Sequence, residues 1–492
     1  MSAKVACRRP LTLPSPHAGL SGGDPLNHAR DDARALDLVE RFGRTATAFQ
    51  VLSPGLCHWF DGERGMVAYA ETGRAWVAAG EPVAARADAI AVAERFVAAA
   101  RLAGRRVSFF ATEGILASSP AFRRVCLGEQ PVWDPQRWDA HVRAHRSFRE
   151  QRRRALAKGV TVRSVQRQTL TDEPELRTQV EAVVAHWLAA RPMPPMHFLV
   201  EVAPLSLIER RRVFVAERAG VVVGVLSLAP VPARAGWLFE HLLRDPAAPN
   251  GTAELLVDVA MRALADAGVR WATLGLAPLA GEVVTWLRWT RRLSRPLFNF
   301  DGLAAFKRKL RPQRWEPIFL AYPAQASSLR SLLDGLRAFA GIPLWHFGVR
   351  TALRGPRPLL LALERLLIPW TIVLAMAPTA TWFPSPFIHA AWVLFDVALY
   401  ASLRAVRRRR WSAGLSLVAS AVSLDAGFTV WQAVAWNAPR VTTWQGAAWV
   451  GFACAGPALA AVILWGAVRR LHRAARPPTV ADRDSRTVFA SR

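Results

Sequence analysis

The chain has 492 residues, 52% of them hydrophobic, and its 64 Lys+Arg against 37 Asp+Glu leave a formal net charge of +27. That apolar share excludes a disordered polyelectrolyte and is enough for a sizeable core. Four scattered cysteines (Cys7, Cys57, Cys126, Cys454) show neither CxxC spacing nor a disulfide framework, which argues against a secreted disulfide scaffold and a zinc module.

Residues 1–32 are interrupted by Pro and Gly, lack the apolar core of a secretory signal, and read as disordered. Residues 33–165 read as a first α/β lobe. Gly65–Glu71 and Arg74–Ala79 flank a Thr-Gly turn as a hairpin, Asp88–Ala103 has a helical apolar stripe, and Val107–Ala111 is a strand. His141–Gly159 reads as one basic helix carrying Arg146, Arg149, Arg153, Arg154 and Lys158. Its charge suits a phosphate backbone, an anionic lipid surface, or plain solvent.

Residues 166–325 repeat the order as a second lobe. Val213–Arg218, Val221–Leu228 and Trp237–Leu243 are strands, Thr252–Ala267 a helix, and Trp271–Leu276 a strand. Hairpin, strand, helix, strand is the central order of an acetyltransferase-like mixed sheet, here present twice. Residues 326–358 read as a linker.

From residue 359 the composition turns apolar. Four stretches, about 363–384, 387–406, 412–436 and 444–468, approach the ~20 helical residues that cross a bilayer. Arginines gather before the first, between the second and third (Arg404, Arg407–Arg410) and after the fourth. The positive-inside rule then places both termini, the tail 471–492 and the soluble part in the cytoplasm, at a bacterial inner membrane. Asp396 and Asp425 interrupt two spans and are expected to face the bundle interior. There they act as interhelical bonds to Ser, Thr, Trp or His389, or as a proton or headgroup site.

The densest polar signal lies between residues 237 and 322. Glu240, His241, Arg244, Asp245 and Glu254 crowd a helix entrance at Asn250-Gly251-Thr252, where exposed amides suit a phosphate or a developing oxyanion. Asn250 or Thr252 is expected to cap the helix, with Gly251 letting a ligand approach the backbone. Lys307 and Lys309 are two of only four lysines, in a chain that otherwise uses Arg, and are expected to contact phosphate or carboxylate. No GxSxG, HExxH or Walker motif is present, which removes serine hydrolase, zincin and NTPase readings. The Gly-rich pyrophosphate loop of a coenzyme A-dependent acetyltransferase is missing as well.

The run R-x-x-x-x-P-N-G-T (Arg244, Pro249–Thr252), L-G-L-A-P-L-A-G (Leu274–Gly281) and F-N-F-D-G-L-x-x-F-K-x-K-L-x-P followed by W-E-P and A-Y-P (Phe298–Pro323) resembles the catalytic domain of phosphatidylglycerol aminoacyltransferases. These are the lysyl- and alanyl-phosphatidylglycerol synthases of the multiple peptide resistance type. Gly80–Val83 (G-E-P-V) and the Arg146–Gly159 run match in order but more weakly.

The resemblance implies two acetyltransferase-like lobes. It also implies transfer of an aminoacyl group from aminoacyl-tRNA to the headgroup of phosphatidylglycerol or another anionic lipid. The charged tRNA is a co-substrate, and neither metal nor further cofactor is required. Its pattern D-L-M-R stands here as His241–Leu242–Leu243–Arg244, and Glu81 replaces the Asp of a G-D-P motif. His241 is the best-tuned general base, unperturbed near ~6.5. On a regular strand Glu240 points to the opposite face from His241. Arg244 is placed to clamp a phosphate bidentately, Glu254 lies near a later acidic position of the family, and Asn250, Gly251, Thr252, Asp245, Lys307 and Lys309 line the substrate. A catalytically silent binding module of the same fold, or an acyltransferase with another donor or acceptor, is the alternative.

Overall fold

The computed structural model describes residues 6–7, 25–191, 194–280, 300–354, 356–409 and 412–475. Residues 281–299, which include the start of the F-N-F-D-G run, and the tail after 475 lie outside the described residues. The chain divides into two units, residues 1–348 and 349–492.

The first unit begins with β1 (Ala6–Cys7) and α1 (Pro25–Phe42). Strands β2 (Cys57–Phe60), β3 (Gly65–Thr72) and β4 (Ala75–Ala79) form an antiparallel meander, with the short β5 (Val83–Ala84) against β3. Helix α2 (Ala89–Leu102) crosses over, and β6 (Arg106–Thr112) returns parallel to β4. Val92, Phe96 and Ala100 recur at helical spacing on α2 and are fully buried, so one apolar stripe holds the crossover to the sheet. β4 is buried along its whole length, as a strand covered on both faces must be.

β7 (Phe122–Trp133), α3 (Trp138–Ala144), α4 (Arg146–Ala157) and β8 (Val160–Val165) come next, then α5 (Arg167–Asp172) and α6 (Pro174–Ala189). β9 (Arg212–Arg218), β10 (Val221–Val231) and β11 (Gly236–Arg244) make a second meander. Helix α7 (Thr252–Asp266) crosses over to β12 (Ala272–Thr273), parallel to β11. β13 (Ala277–Pro278), α8 (Phe300–Lys309), β14 (Arg314–Pro323), α9 (Ser328–Ala340) and α10 (Leu344–Arg354) follow. Meander, crossover helix and parallel strand thus occur twice, which is the expected pair of acetyltransferase-like lobes in a mixed α/β sheet.

The lobes share that sheet. β7 bonds to β14 on one side and to β12 of the second lobe on the other. β14 follows the second lobe in sequence yet inserts between β6 and β7, in register from Arg314–Val132 to Pro323–Phe122. β8, expected in the first lobe, pairs with β9 of the second. The lobes are therefore not the contiguous segments 33–165 and 166–325, because strand pairing at long sequence separation overrides chain order.

Other expectations also change. α1 starts at Pro25, inside the segment read as disordered. The basic helix breaks at His145, whose φ of −114° and ψ of 93° are extended, so it forms two helices, α3 and α4. Both belong to the second lobe. Trp138 Nε1 donates to Asp258 Oδ1 on α7 at 3.0 Å, and Arg152 donates to Asp258 Oδ2 at 2.9 Å. Residues 326–358 are largely helical rather than a linker. α9 lies on the first lobe, with Gly335 against the Phe110 ring and Arg106 bonded to both oxygens of buried Asp334. Cys57 is disulfide-bonded, with Cys7 opposite it in strand register, and Cys126 and Cys454 are free.

The second unit holds α11 (Pro356–Ala375), the short α12 (Thr379–Trp382), α13 (Pro386–Arg409), α14 (Ser412–Gln432), a π turn at Ala433–Asn437, and α15 (Trp444–Ala475). Three helical stretches, Pro386–Arg408, Ala413–Asn437 and Trp444–Arg469, are long and apolar enough to cross a membrane, with mean hydropathy 1.4, 1.5 and 2.0. The expected first span is not among them. α11 carries Glu364 and Arg365 in its interior and stops at Ala375, ahead of Pro378, leaving too short an apolar run in one helix.

Asp396 and Asp425 are 6% and 8% exposed, facing inward as expected. Thr371 lies 3.5 Å from Asp396. His389 does not serve the carboxylates. It bonds Thr379 Oγ1 and the Leu374 carbonyl, both at 2.8 Å, and so braces the turn between α11 and α13.

Candidate functional site

Strand β11 carries three of the residues singled out from sequence, Glu240, His241 and Arg244, and a bulge decides where they point. Ser227 of β10 stands opposite His241 and Leu228 opposite Phe239, so Glu240 has no partner. An extra residue interrupts the alternation of faces. Glu240 and His241, expected on opposite faces, therefore come together, with His241 Nε2 3.7 Å from Glu240 Oε1.

Both are buried. Glu240 Oε2 accepts from the buried Arg211 guanidinium, and Glu240 Oε1 accepts from Gln50 Nε2 at 3.0 Å. Arg211 is fixed by the Ser206 carbonyl at 2.7 Å and by the Phe49 ring beneath it, 5.1 Å away. Burial alone drives the Glu240 carboxyl up, but His241, Arg211 and the two hydrogen bonds outweigh it and hold it below the usual carboxylate range. Burial pushes His241 down, with the Glu240 charge only partly opposing. Arg211 and the two hydrogen bonds act on Glu240 whether or not the imidazole is charged, so with His241 held neutral by burial the pair is an ionised carboxylate beside a neutral imidazole. Among the described residues the imidazole makes no hydrogen bond, which leaves it free to take a proton.

After the bulge, alternation resumes. Leu242 packs with α7, Leu243 with the α6 side, and Arg244, opposite Gly224, returns to the α7 face. His241 and Arg244, expected in one cluster, lie on opposite faces of the sheet. Arg244 is half-buried and has no ion-pair partner among the described residues.

The helix entrance also differs from expectation. Neither Asn250 nor Thr252 caps α7; Gly251 is the N-cap residue, without a side-chain bond. Thr252 is fully buried, and its hydroxyl donates to the Pro249 carbonyl at 2.7 Å. Gly251 has φ 96°, and a Cβ there would sit 1.9 Å from the Gln151 carbonyl oxygen. Its missing side chain admits helix α4, rather than a ligand. Asp245 is also engaged, accepting from Ala247 N at 2.8 Å and lying 2.7 Å from His186 Nδ1. Glu254 is buried and pairs with Lys309 Nζ at 2.7 Å, joining the start of α7 to the end of α8.

Lys307 is buried outright, and its Nζ donates to the carbonyls of Leu274, Gly275 and Leu276 at 2.7, 2.9 and 2.9 Å. Burial pushes this ammonium down to about 7. Three carbonyl acceptors require three N–H donors, which only the charged form has, so the fold is built around the ammonium. Lys307 thus braces the L-G-L turn rather than contacting phosphate or carboxylate.

On α4, Arg146, Arg149 and Arg153 recur at i, i+3 and i+7 and are exposed, as are Arg154 and Lys158. Arg149 bonds the carbonyls of Val142 and Arg143, and Arg153 pairs with Glu150 at 3.1 Å. Among the described residues Arg146, Arg154 and Lys158 have no side-chain partner.

Sequence reasoning missed Arg211 and Gln50, whose roles depend on chain segments that meet only in the fold. It also missed a second, partly buried cluster of Glu113, Gln130, Arg234 and Glu316. Two signals were available: Glu316 lies within W-E-P, and Gln130 is a polar residue inside an otherwise apolar strand end. Glu81 supports this cluster. Its Oε1 accepts from the backbone N–H groups of Glu113, Gly114 and Ile115 at 2.8–3.0 Å, although burial pushes its carboxyl up.

Fold and site together define a mixed-sheet, two-lobed protein with a neutral imidazole beside a buried carboxylate. Residues 36–322, more than half of the chain, match the family described as phosphatidylglycerol lysyltransferase, C-terminal. The chain belongs to that family. The structure is similar to the C-terminal domain of a putative lysylphosphatidylglycerol synthetase from Agrobacterium fabrum, with 25% identity and a TM-score of 0.56. That match covers 64% of this chain and 98% of that one. It shares its fold with L-PGS from Bacillus licheniformis, at 19% identity and TM-score 0.51 over 64% of this chain and 97% of that one. An uncharacterised protein of Corynebacterium glutamicum is 24% identical over 59% of this chain, and the match spans 39% of that relative's length.

Proposed function

We propose that this protein is a membrane-anchored aminoacyltransferase that moves an aminoacyl group from aminoacyl-tRNA to the headgroup of an anionic lipid, with phosphatidylglycerol as the acceptor. Membership of the phosphatidylglycerol lysyltransferase family supports aminoacyl transfer to lipid. The observation that carries the reaction is the β11 bulge, which sets a neutral His241 against an ionised Glu240.

The acceptor hydroxyl oxygen attacks the ester carbonyl of the aminoacyl donor while His241 takes the hydroxyl proton. Glu240 stabilises the imidazolium so formed, because Arg211 and Gln50 keep it ionised and in place. Collapse breaks the bond to the ribose oxygen of the tRNA, which receives the proton from His241. The new ester leaves on the lipid.

On the α7 face, Arg244 and the exposed arginines of α4 supply positive charge for the phosphates of the tRNA body, while its aminoacylated end is assigned to the opposite face, where His241 lies. The three apolar helices anchor the chain in a bacterial inner membrane, with the catalytic unit on the cytoplasmic side.

The test is lipid extraction from cells that make no aminoacylated lipid, expressing the full chain. A new ninhydrin-positive lipid is expected, and mass spectrometry identifies donor and acceptor together. His241→Ala should lower its formation by about 100-fold or more, the usual range for a general base. In a purified assay the rate should stay level as pH falls through ~6.5, since burial keeps His241 neutral below its ordinary value, and should drop only at lower pH. An unchanged lipid profile with intact tRNA binding would leave a silent binding module instead.

A further inference from the structure

Four side chains from distant parts of the chain form a second, partly buried polar cluster on the face of the sheet that also bears His241. Gln130 of β7 and Glu316 of β14 are cross-strand partners, Glu113 follows β6, and Arg234 follows β10. Gln130 Nε2 lies 3.2 Å from both Glu113 Oε1 and Glu316 Oε2. Arg234 pairs with Glu113 Oε2 and lies 3.4 Å from Glu316 Oε2, its guanidinium 4.8 Å from the centre of the Trp271 ring. Arg314 reaches Glu316 Oε1 at 2.9 Å from the exposed edge. Ala46 N donates to Glu113 Oε1 at 3.2 Å.

Gln130 is fully buried, and among the described residues its Oε1 has no hydrogen-bond partner. Reversing the amide does not repair this, because it would set the oxygen against two carboxylates. The orphan is therefore an acceptor, held at amide geometry beside two acidic groups, and it calls for a donor. Glu113 and Glu316 face the guanidinium groups of Arg234 and Arg314, and Glu81, held by three backbone N–H groups, lies beside Glu113. Burial pushes the Glu113 carboxyl up, with Arg234 opposing and the Glu316 charge adding to it. Among the described residues no three His, Cys, Asp or Glu side chains are grouped as metal ligands. A group that answers an orphan acceptor flanked by two carboxylates is an organic ammonium.

The cluster is tied to the reacting pair by a short piece of chain. Ala46 bonds Glu113, and Gln50, four residues on, bonds Glu240. Even fully extended, that segment spans no more than about 14 Å.

We propose that Gln130 Oε1, flanked by Glu113 and Glu316, receives a primary ammonium of the amino-acid moiety carried by the acyl donor. This deepens, and rests on, the aminoacyltransferase reading. The ammonium donates to Gln130 Oε1 while Glu113 and Glu316 balance its charge, and the ester carbonyl is directed toward His241. The ammonium is either the α-amino group or a side-chain amine.

The experiment uses the full chain in lipid nanodiscs and isothermal titration with three probes. Alaninamide carries only the α-ammonium, Nα-acetyl-lysinamide only a side-chain ammonium, and N-acetylalaninamide neither. At least one of the first two should bind, and which one assigns the source; the third should not. Gln130→Met should weaken that binding by about tenfold or more, the worth of a hydrogen bond to a charged group. Glu316→Gln, at a partly exposed position, should weaken it as well and decides the matter if Gln130→Met does not fold by near-UV circular dichroism. Equal binding of N-acetylalaninamide, no binding of any probe, or affinity unchanged in folded variants would overturn the proposal. Lipid product from the same preparations separates the two readings. Product formed with unchanged probe affinity in the variants refutes the subsite alone, whereas probe binding without lipid product refutes the transferase.

Discussion

His241 and Lys307 show how far a single residue's chemistry can be read before its neighbours are known. Each stood out in the sequence, His241 for its intrinsic pKa and Lys307 for being a lysine among arginines. His241 acquires a carboxylate neighbour only because Glu240 is the unpaired residue of a bulge. Lys307 is rare for a reason that composition does not reveal. A flexible four-carbon stem ending in three donors fits three successive carbonyls, where a planar guanidinium would not. Lys307→Met removes all three donors and leaves the Leu274–Leu276 carbonyls unsatisfied. It is expected to cost about 2–3 kcal/mol, offset in part because a buried charge disappears with it. The measurement is the urea midpoint of tryptophan fluorescence, and an unshifted midpoint would show that the ammonium is not bracing the turn.

At the scale of elements, the start of α7 is where expectation and structure diverge most. Asn-Gly-Thr at a helix entrance is a recognisable pattern, and the helix does begin there. What lies over it is α4, from a remote part of the chain, and nothing local specifies that approach. The close fit makes Gly251→Ala a severe change. A Cβ at φ 96° would meet the Gln151 carbonyl, so either α4 withdraws or the start of α7 unwinds. A loss of about 3 kcal/mol or more is expected, with strain and steric overlap acting together. Hydrogen exchange should show weaker protection in α4 and the first turn of α7 ahead of β9 and β10. Uniform weakening across the sheet, or none, would contradict this account. The basic helix was legible as a charge run, but its break at His145 and the turning inward of Arg152 toward Asp258 were not. Helical periodicity shows which residues share a face, and a buried partner carboxylate decides which of them points in.

At the scale of the whole molecule, a formal charge of +27 implies strong long-range attraction for polyanions. The proposed tRNA interaction places part of it on α4. Replacing Arg146, Arg149, Arg153 and Arg154 together by Ala should weaken tRNA binding and reduce the slope of log K against log salt by roughly 3, at ~0.7–0.9 for each phosphate no longer neutralised. Filter binding at several salt concentrations reads this directly. A lower affinity with an unchanged slope would mean these arginines act through folding rather than by pairing with phosphate.

Apolar run length and hydrophobic alternation, which are local properties of the chain, were sufficient to place the membrane-competent helices after the α/β part and to show that its strand–helix order occurs twice. They overcounted by one the single helices able to cross, since Glu364 and the proline break at 378 make α11 unlike its neighbours. The motif runs near residues 244–323 were sufficient for the family. Only the tertiary structure decided that β14 inserts into the middle of one continuous sheet, that Glu240 and His241 face the same way while Arg244 faces the other, and that Glu113, Gln130, Arg234 and Glu316 meet at all. The division follows from range. Backbone conformation and amphipathic period are set by near neighbours, whereas strand register, bulges and buried charge partners are chosen by chain segments tens to hundreds of residues apart.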